Sequence, residues 1–252
     1  MENQVDYLVK KAWTKWLDTP KSKRLLIAVS GIPGSGKTTL AAKVAARLNE
    51  MWRDSSPGLA SMPGIATFLP MDGYHLTRAQ LSAMPDPNTA HARRGAAFTF
   101  DAPAFLDLVK KLREPICPES GTIYAPSFDH AVKDPVANDI PIAATSRIVI
   151  FEGNYLSFGK GAPEWKEAAE MMDELWFVDV PEQVAKERLI RRHVKSGIAS
   201  NEEEAAKRAE ENDLVNGKEI IEARMEVHEM VYSKEDDDWL PEKQGIDTER
   251  DA

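Results

Sequence analysis

The sequence predicts an α/β fold with a central, mostly parallel sheet in a three-layer sandwich, and three observations carry this prediction. Short apolar runs without alternation, such as residues 25–29, are typical of strands buried on both faces. Amphipathic segments with helical spacing separate these runs, and alternating strands and helices favour parallel strands joined by right-handed crossovers. The chain has 252 residues, 42% hydrophobic and 29% charged, and is therefore long enough to bury a substantial core.

Each element follows from its local pattern. The apolar runs predict strands at 25–29, 65–69, 147–151 and 175–180. Helical spacing predicts helices at about 3–18, 40–48 and 103–112, another after Pro181, and one that starts with the capping-box spacing at Ser200. We expect a loop at 53–64 and irregular structure at 114–141, where prolines are frequent. Residues 220–232 fit either a helix or a last strand.

Charge and composition limit the partners and the compartment. The chain has 32 basic and 41 acidic residues, a net charge of −9, which argues against nucleic acid or an anionic membrane as its partner. No apolar run approaches the roughly 20 residues of a membrane-spanning helix, and the N-terminus lacks a secretory signal pattern. The single cysteine, Cys117, cannot form an internal disulfide. We therefore expect a cytoplasmic protein.

Three regions are predicted along the chain. Residues 1–24 form an N-terminal helix packed on the body, because Trp13 and Trp16 share its apolar face and such rings are usually covered. Residues 25–233 form the main domain. Residues 234–252 form an acidic tail, with eight acidic and three basic residues.

A glycine-rich segment between the first strand and the following helix fits the pattern G-x-x-x-x-G-K-[ST] in full. Its glycines let successive N–H groups surround a phosphate, and the helix presents its positive end to the same anion. We expect Lys37 to neutralise β and γ oxygens and the Thr38 hydroxyl to join a Mg²⁺ shell. The motif predicts a P-loop NTPase-type fold and an ATP site made by Gly31, Ile32, Pro33, Gly34, Ser35, Gly36, Lys37, Thr38 and Thr39.

The rest of the chain decides where the γ-phosphate goes. The chain has no Asn-Lys-x-Asp motif, which disfavours a Ras-like GTPase, and its third strand ends in a single acid, Glu152, rather than an Asp-Glu pair. Ligands collect at the carboxyl ends of parallel strands, where Asp72, Glu152 and Asp179 fall. We expect Asp72 to accept the proton of a substrate hydroxyl, Glu152 to hold Mg²⁺ through water or the substrate, and Asp179 to cap the next helix.

The helix after Pro181 carries four cations on one face, because Arg188, Arg191, Arg192 and Lys195 are spaced by three, four and seven residues from the first. Phosphoryl transfer needs cations over the equatorial oxygens when the site closes. The pattern therefore predicts a short Arg-rich helical lid near 185–200, with Arg188 and Arg192 as its catalytic residues.

Several loop residues have the rings and donors that hold a small polar acceptor. The candidates are Tyr74, His75, Arg93, Arg94, Tyr124, Phe128, Asp129 and Glu152. A zinc site of His75, His91 and His130 is disfavoured, because their spacing is not that of tight ligands and Mg²⁺ prefers oxygen.

In this order, the motifs resemble the uridine kinase, pantothenate kinase and phosphoribulokinase group of P-loop kinases, and most closely its uridine-kinase-like and fructose-kinase-like members. The resemblance runs from about residue 25 to about 216, and includes the segment Glu211 to Gly217. It is carried by GIPGSGKTT, MDGYH, RRGAAFTFDAPAF, YAPSFDHAVKDPV, IVIFEGNYL and LWFVDVPEQVAKERLIRRH. The resemblance implies phosphorylation of a small-molecule hydroxyl by ATP, with Asp72 as base. The acceptor loop reads Pro126-Ser127-Phe128-Asp129-His130, where uridine kinases carry Pro-x-Tyr-Asp-Phe, so it names no acceptor.

The main hypothesis is a kinase that uses Mg-ATP to phosphorylate a nucleoside or a similar small polar metabolite, with pantothenate or a sugar as alternative acceptors. A second hypothesis is a protein that only binds or slowly hydrolyses ATP and acts through a protein partner. The sequence leaves monomer and homo-oligomer undecided.

Overall fold

A computed structural model describes residues 1–55 and 64–234. Five strands form one sheet in the order β2-β5-β1-β6-β7, and every neighbouring pair is parallel. The strands are β1 (Leu25–Gly31), β2 (Ala66–Pro70), β5 (Ile148–Gly153), β6 (Glu174–Asp179) and β7 (Glu229–Tyr232). The predicted α/β class with a central parallel sheet is therefore confirmed.

Helices surround this sheet. The four longest helices follow the predicted positions. Shorter helices lie between residues 78 and 92, 163 and 170, and 202 and 222, and of these the sequence predicts the one that begins near Ser200. The α-helices are α1 (Glu2–Leu17), α2 (Lys37–Ser55), α3 (Arg78–Ser82), α4 (Pro87–Ala92), α5 (Ala102–Arg113), α6 (Pro163–Glu170), α7 (Glu182–Lys195), α8 (Glu202–Arg208) and α9 (Leu214–Glu222). A π-helical turn, Ala209–Asp213, joins α8 to α9. No helix in the described ranges is long and apolar enough to cross a bilayer.

The central strands divide the core into two layers because alternate side chains point to opposite faces. In β1, Leu26 and Ala28 pack with α5 and α6, whereas Leu25, Ile27 and Val29 pack with α1 and α2. All seven residues of β1 are buried, as the unbroken apolar run predicts. Helix, sheet and helix thus form the three predicted layers.

Helix α1 packs on the body through Val5, Leu8, Val9 and Ala12, each at most 4% exposed. It also covers the free edge of β7: the Gln4 side chain donates to Tyr232 O at 2.9 Å and accepts from Tyr232 N at 2.9 Å. The Gln4 amide makes the two backbone hydrogen bonds that a neighbouring strand would make, and thereby protects an otherwise unpaired edge.

The prediction of irregular structure at 114–141 was wrong over most of that range. Strands β3 (Ile123–Asp129) and β4 (Asp134–Ile142) form an antiparallel hairpin with a register shift between Ala125 and Ser127. Prolines suggested irregularity, but a two-stranded ribbon has free edges on which residues without an N–H are tolerated. The hairpin packs against the turn that follows β2.

Smaller differences concern element ends. Asp179 does not cap α7, since the cap position is Pro181, which has no side-chain hydrogen bond there. The N-cap of α8 is Asn201, not Ser200, and its side chain accepts from Glu204 N. Residues 220–232 contain both alternatives, the end of α9 and strand β7. In the loop predicted at 53–64, residues 53–55 belong to α2, and residues 56–63 lie outside the described residues. The predicted acidic tail also lies outside them beyond Lys234.

Candidate active site

The phosphate loop connects β1 to α2 as predicted. Gly34 and Gly36 have φ angles of 80° and 89°, a region that glycine adopts without strain. A Cβ at Gly34 would lie 2.7 Å from the carbonyl oxygen of Ala185, so this position also requires a residue without a side chain. Helix α2 begins at Lys37, and its positive end faces the loop. The backbone therefore has the form of an anion cradle.

Lys37, Thr38 and Glu152 meet beside this cradle. Thr38 Oγ1 donates to Glu152 Oε1 at 3.1 Å, and Lys37 Nζ lies 3.5 Å from the same oxygen. The Glu152 side chain is 5% exposed. Burial raises the pKa of Glu152, and the Asp72 carboxylate adds to this rise, while Lys37 and Thr38 oppose it. A buried carboxylate, a hydroxyl and an ammonium thus share one small volume.

Asp72 lies at the carboxyl end of β2, in a short 3₁₀ turn, Met71–Tyr74. Its side chain is 33% exposed. The sheet register sets Asp72 beside Glu152, because Pro70 pairs with Glu152 in the neighbouring strand. A Cβ at Gly73 would collide with the carbonyl of Pro126 in β3, so glycine lets the hairpin approach the turn closely.

His75 closes the turn and joins it to aromatic rings. Its Nδ1 lies 2.8 Å from Asp72 O and 3.8 Å from Asp72 Oδ1. The imidazole centroid lies 4.0 Å from that of Phe100 and 4.9 Å from that of Phe128. Burial lowers the pKa of His75 more than Asp72 raises it, so the ring favours its neutral form. His75 and Phe128, two predicted acceptor residues, are therefore together at Asp72.

The predicted lid helix reaches the phosphate loop through Arg188. Its Nη1 donates to Gly34 O at 3.2 Å and to Ser233 Oγ at 2.9 Å. Its Nη2 donates to Lys234 O at 3.1 Å, so the end of β7 joins the same group. Arg192 lies one turn further along α7 and is exposed. Sequence reasoning missed Ser233 and Lys234, because no motif marks the segment after this edge strand.

The two predicted arginines of the loop after α4 have different surroundings. Arg94 donates to Leu76 O, Lys133 O and Asp134 Oδ1, and its guanidinium carbon lies 5.4 Å from the centroid of the Phe128 ring. Arg93 instead donates to the side-chain oxygens of Asn212 and Asn216. Both asparagines lie in the segment Glu211 to Gly217, which is part of the family resemblance, but no sequence pattern indicates their contact with Arg93.

Three other predicted acceptor residues, Tyr74, Asp129 and Tyr124, have no described side-chain contact with Asp72, His75 or Phe128. Tyr74 is 6% exposed and packs edge-to-face on Phe105 in the core. Asp129 Oδ1 accepts from Ala131 N and Val132 N within the hairpin turn. Acceptor binding by these two residues stays a prediction. Tyr124 is 53% exposed on β3.

Comparison with known proteins places this geometry among nucleotide-dependent kinases. A family model described as Nephrocystin 3, N-terminal, matches residues 6–68, which contain the phosphate loop. An ATP-dependent kinase-like protein, notR', from Aspergillus versicolor is 52% identical over 161 residues, 64% of this chain and 92% of that protein. A candidate uridine kinase from Schizosaccharomyces pombe is 41% identical over 194 residues, 77% of each chain.

A solved structure agrees with these relatives. A candidate fructose transport system kinase from Silicibacter sp. TM1040 superimposes with a TM-score of 0.73 and 32% identity, covering 90% of this chain and 98% of that one. The phosphate loop and the sheet define a P-loop fold, and the relatives define its class as a P-loop kinase. Within that class, the chain belongs to the uridine kinase and fructose transport kinase group, whose members are ATP-dependent kinases, which confirms the family predicted from the motifs.

Proposed function

We propose that this P-loop kinase transfers the γ-phosphate of Mg-ATP to a hydroxyl of a small polar metabolite, such as a nucleoside. The observation that carries the proposal is the position of Asp72. Its carboxylate is close enough to raise the pKa of Glu152, which itself contacts Lys37 and Thr38 of the phosphate loop. A carboxylate beside a γ-phosphate site is the group that a hydroxyl acceptor needs.

The residues of the site fit both ATP and Mg²⁺. Gly36 has a φ of 89°, which glycine adopts without strain, and a Cβ there would lie 3.7 Å from Ser233 Oγ and 3.8 Å from Arg188 Nη1, in the space that phosphate oxygens would take. Thr38 and Glu152 supply a hydroxyl and a carboxylate, and Mg²⁺ commonly takes one or two such protein oxygens together with substrate phosphates. When bound, the ion neutralises charge that develops on the transferring phosphoryl group.

The protein's own groups then have distinct roles. The cradle and Lys37 hold the phosphates, and Arg188 brings a second cation to the loop from α7. Asp72 orients the acceptor hydroxyl and accepts its proton as the oxygen bonds to phosphorus and the bond to the leaving ADP oxygen breaks. His75 and Phe128 form an apolar wall beside Asp72 on which an acceptor ring or carbon chain can pack. Arg192 joins the transferring group when α7 moves toward the site.

The proposal is tested by ADP release from the purified protein with Mg-ATP and, in turn, nucleosides, pantothenate and simple sugars, with no acceptor as the control. We expect one class of acceptor to raise ADP release above the control. Hydrolysis that no acceptor raises would contradict the proposal. It would favour instead a nucleotide-binding protein that acts through a protein partner.

A further inference from the structure

Arg93 is held in place by neutral groups. It follows α4, and its Nε donates to Asn212 Oδ1 at 3.1 Å while Nη2 donates to Asn216 Oδ1 at 2.6 Å. Both asparagines are buried, at 4% and 2% exposure. No carboxylate within residues 1–55 or 64–234 forms an ion pair with Arg93, so the groups that orient its guanidinium are neutral.

The neighbouring Arg94 shows the opposite arrangement. Asp134 Oδ1 lies 3.3 Å from Arg94 Nη2, and two backbone carbonyls accept from Nη1 and Nη2 at 2.6 and 2.9 Å, whereas the buried Nε has no hydrogen-bond partner among the described residues. Arg94 therefore ties the hairpin to the segment after the Asp72 turn. Of the two adjacent arginines, Arg93 is the one with hydrogens on Nη1 that no described residue accepts.

Residues next to Arg93 and next to its partner Asn216 connect it to the acceptor wall and to the phosphate loop. On one side, Tyr155 donates to Gly95 O at 2.9 Å, and its ring packs on Phe100, which packs on His75 beside Asp72. On the other side, a Cβ on Gly217, the residue after Asn216, would lie 3.4 Å from Ile32 of the phosphate loop.

The asparagines that hold Arg93 lie on an unusual helical segment. Asn212 belongs to the π-helical turn Ala209–Asp213, and Asn216 lies in the first turn of α9. Single π-helical turns occur frequently at functional sites. Here the turn brings two amide oxygens to one guanidinium, and Asn212 Nδ2 also donates to Arg94 O at 3.1 Å, which fixes the backbone beside Arg93.

We infer that Arg93 binds an anionic group on the acceptor, a carboxylate or a phosphate ester, so that the substrate is an anionic hydroxy compound. A guanidinium keeps its charge, and its planar fork matches both anions. Neutral oxygens on Nε and Nη2 orient the fork without satisfying its charge. The inference rests on the proposed function and narrows its acceptor to an anionic hydroxy compound, which excludes an unmodified nucleoside.

The test compares acceptors that differ only in the anionic group. ADP release is measured for glycerol and glycerate, for panthenol and pantothenate, and for ribose and ribose 5-phosphate, so that the first two pairs examine a carboxylate and the third a phosphate. We expect turnover with an anionic member of at least one pair and little with its neutral counterpart. Arg93→Gln, which keeps a donor for the asparagines, should raise KM for that acceptor at least about tenfold and leave KM for ATP unchanged.

Two further variants separate charge from structure. Asn216→Asp keeps an oxygen that accepts from Arg93 Nη2 but adds a negative charge that pairs with the guanidinium. This variant should therefore also raise KM for the anionic acceptor. Arg53→Gln removes an exposed charge from the last turn of α2 and should retain the wild-type KM.

The possible failures are distinguishable. ADP release that no compound raises contradicts the proposed function and this inference together. Release raised as well by the neutral members contradicts this inference alone, as does a wild-type KM for the anionic acceptor in Arg93→Gln.

Discussion

At the residue scale, the buried carboxylate of Glu152 fits the proposed nucleotide site but lowers the stability of the folded protein. Its side chain is 5% exposed, and its carboxylate lies against Thr38 and Lys37 with Asp72 nearby. Burial disfavours the charged form of Glu152, because the contacts with Lys37 and Thr38 do not fully offset the loss of hydration. The same carboxylate is the group that fits an ion bound to nucleotide phosphates. Without nucleotide, the buried Glu152 carboxylate therefore destabilises the folded protein, although the same carboxylate fits the ion that accompanies a bound nucleotide.

This conflict predicts a pH dependence. Because burial raises the pKa of Glu152, its contribution to stability is fully present below the ordinary carboxyl pKa and is lost as pH rises through the folded value. In the absence of nucleotide, Glu152→Gln should therefore gain stability relative to the wild type as pH rises. Urea denaturation at several pH values measures the difference.

The matched control is Glu170→Gln, an exposed glutamate on α6 whose partner Lys166 lies 3.7 Å away. Its stability relative to the wild type should vary little with pH. A wild type that gains stability relative to Glu152→Gln as pH rises would contradict the argument.

Single residues also show what the sequence could and could not predict. The phosphate loop follows from one eight-residue motif, in which Gly31, Gly36, Lys37 and Thr38 are specified by residue type and the spacing is fixed. Tyr74 and Asp129 carry polar groups that can bind a substrate, but in the structure Tyr74 packs on Phe105 and Asp129 accepts a hydrogen bond within the hairpin turn. A side chain's partner depends on distant segments, which local patterns do not specify. Arg93 and its asparagines, separated by 119 and 123 positions, illustrate this.

At the scale of elements, the β3–β4 hairpin covers the acceptor side of Asp72. It packs on the 3₁₀ turn Met71–Tyr74 and carries Phe128 to the His75 ring. Sequence patterns missed it because its residues are mostly half-exposed or exposed, and prolines interrupt them. Strand β7 was ambiguous for a related reason, since it is four residues long and lies at the edge of the sheet.

The close approach of hairpin and turn predicts the effect of Gly73→Ala. The added methyl would collide with the Pro126 carbonyl, so the hairpin must shift away from Asp72. We expect KM for the acceptor to rise and ATP affinity to stay at the wild-type value, with a loss of about 1–3 kcal/mol in the free energy of unfolding. Steady-state kinetics and chemical denaturation measure these effects. Gly121→Ala is the control, because a Cβ at Gly121 meets no atom within 4 Å; equal KM values in the two variants would refute the argument.

Helix α1 is joined to the sheet by charges as well as by its apolar face. Glu174, whose side chain is 3% exposed, lies 2.6 Å from Lys15 Nζ and 2.9 Å from Lys11 Nζ. Burial alone would raise the pKa of Glu174, but bonds from Lys15, Lys11 and Trp176 outweigh it and lower the pKa. The helix therefore depends on an ionised Glu174.

Glu174→Gln should lower the free energy of unfolding by about 1–3 kcal/mol near neutral pH. Since the pKa of Glu174 is lowered on folding, its contribution is present above the ordinary carboxyl pKa and is lost as pH falls. Denaturation curves at neutral and acidic pH should show the deficit shrinking with acidity. A deficit no larger than that of Glu170→Gln would show that the apolar face alone holds α1.

At the scale of the whole molecule, parallel strands bring distant segments to one edge. Residues 31–38, 71–75 and 152 meet there because β1, β5 and β2 are neighbours in register. Helix α7 adds Arg188 from a further strand connection. The fold class was predictable because buried parallel strands leave continuous apolar runs. The acceptor was not, since its surroundings come from loops and the hairpin.

The most direct test of the account measures label transfer from γ-³²P-labelled Mg-ATP to the acceptor that raises ADP release, in the wild type and in Asp72→Asn. The account predicts that the wild type transfers one label for each ADP formed. Asp72→Asn should bind ATP with unchanged affinity but transfer label at least about 100-fold more slowly, because the hydroxyl loses its base. Wild-type transfer by Asp72→Asn, or label found only in inorganic phosphate, would contradict the account.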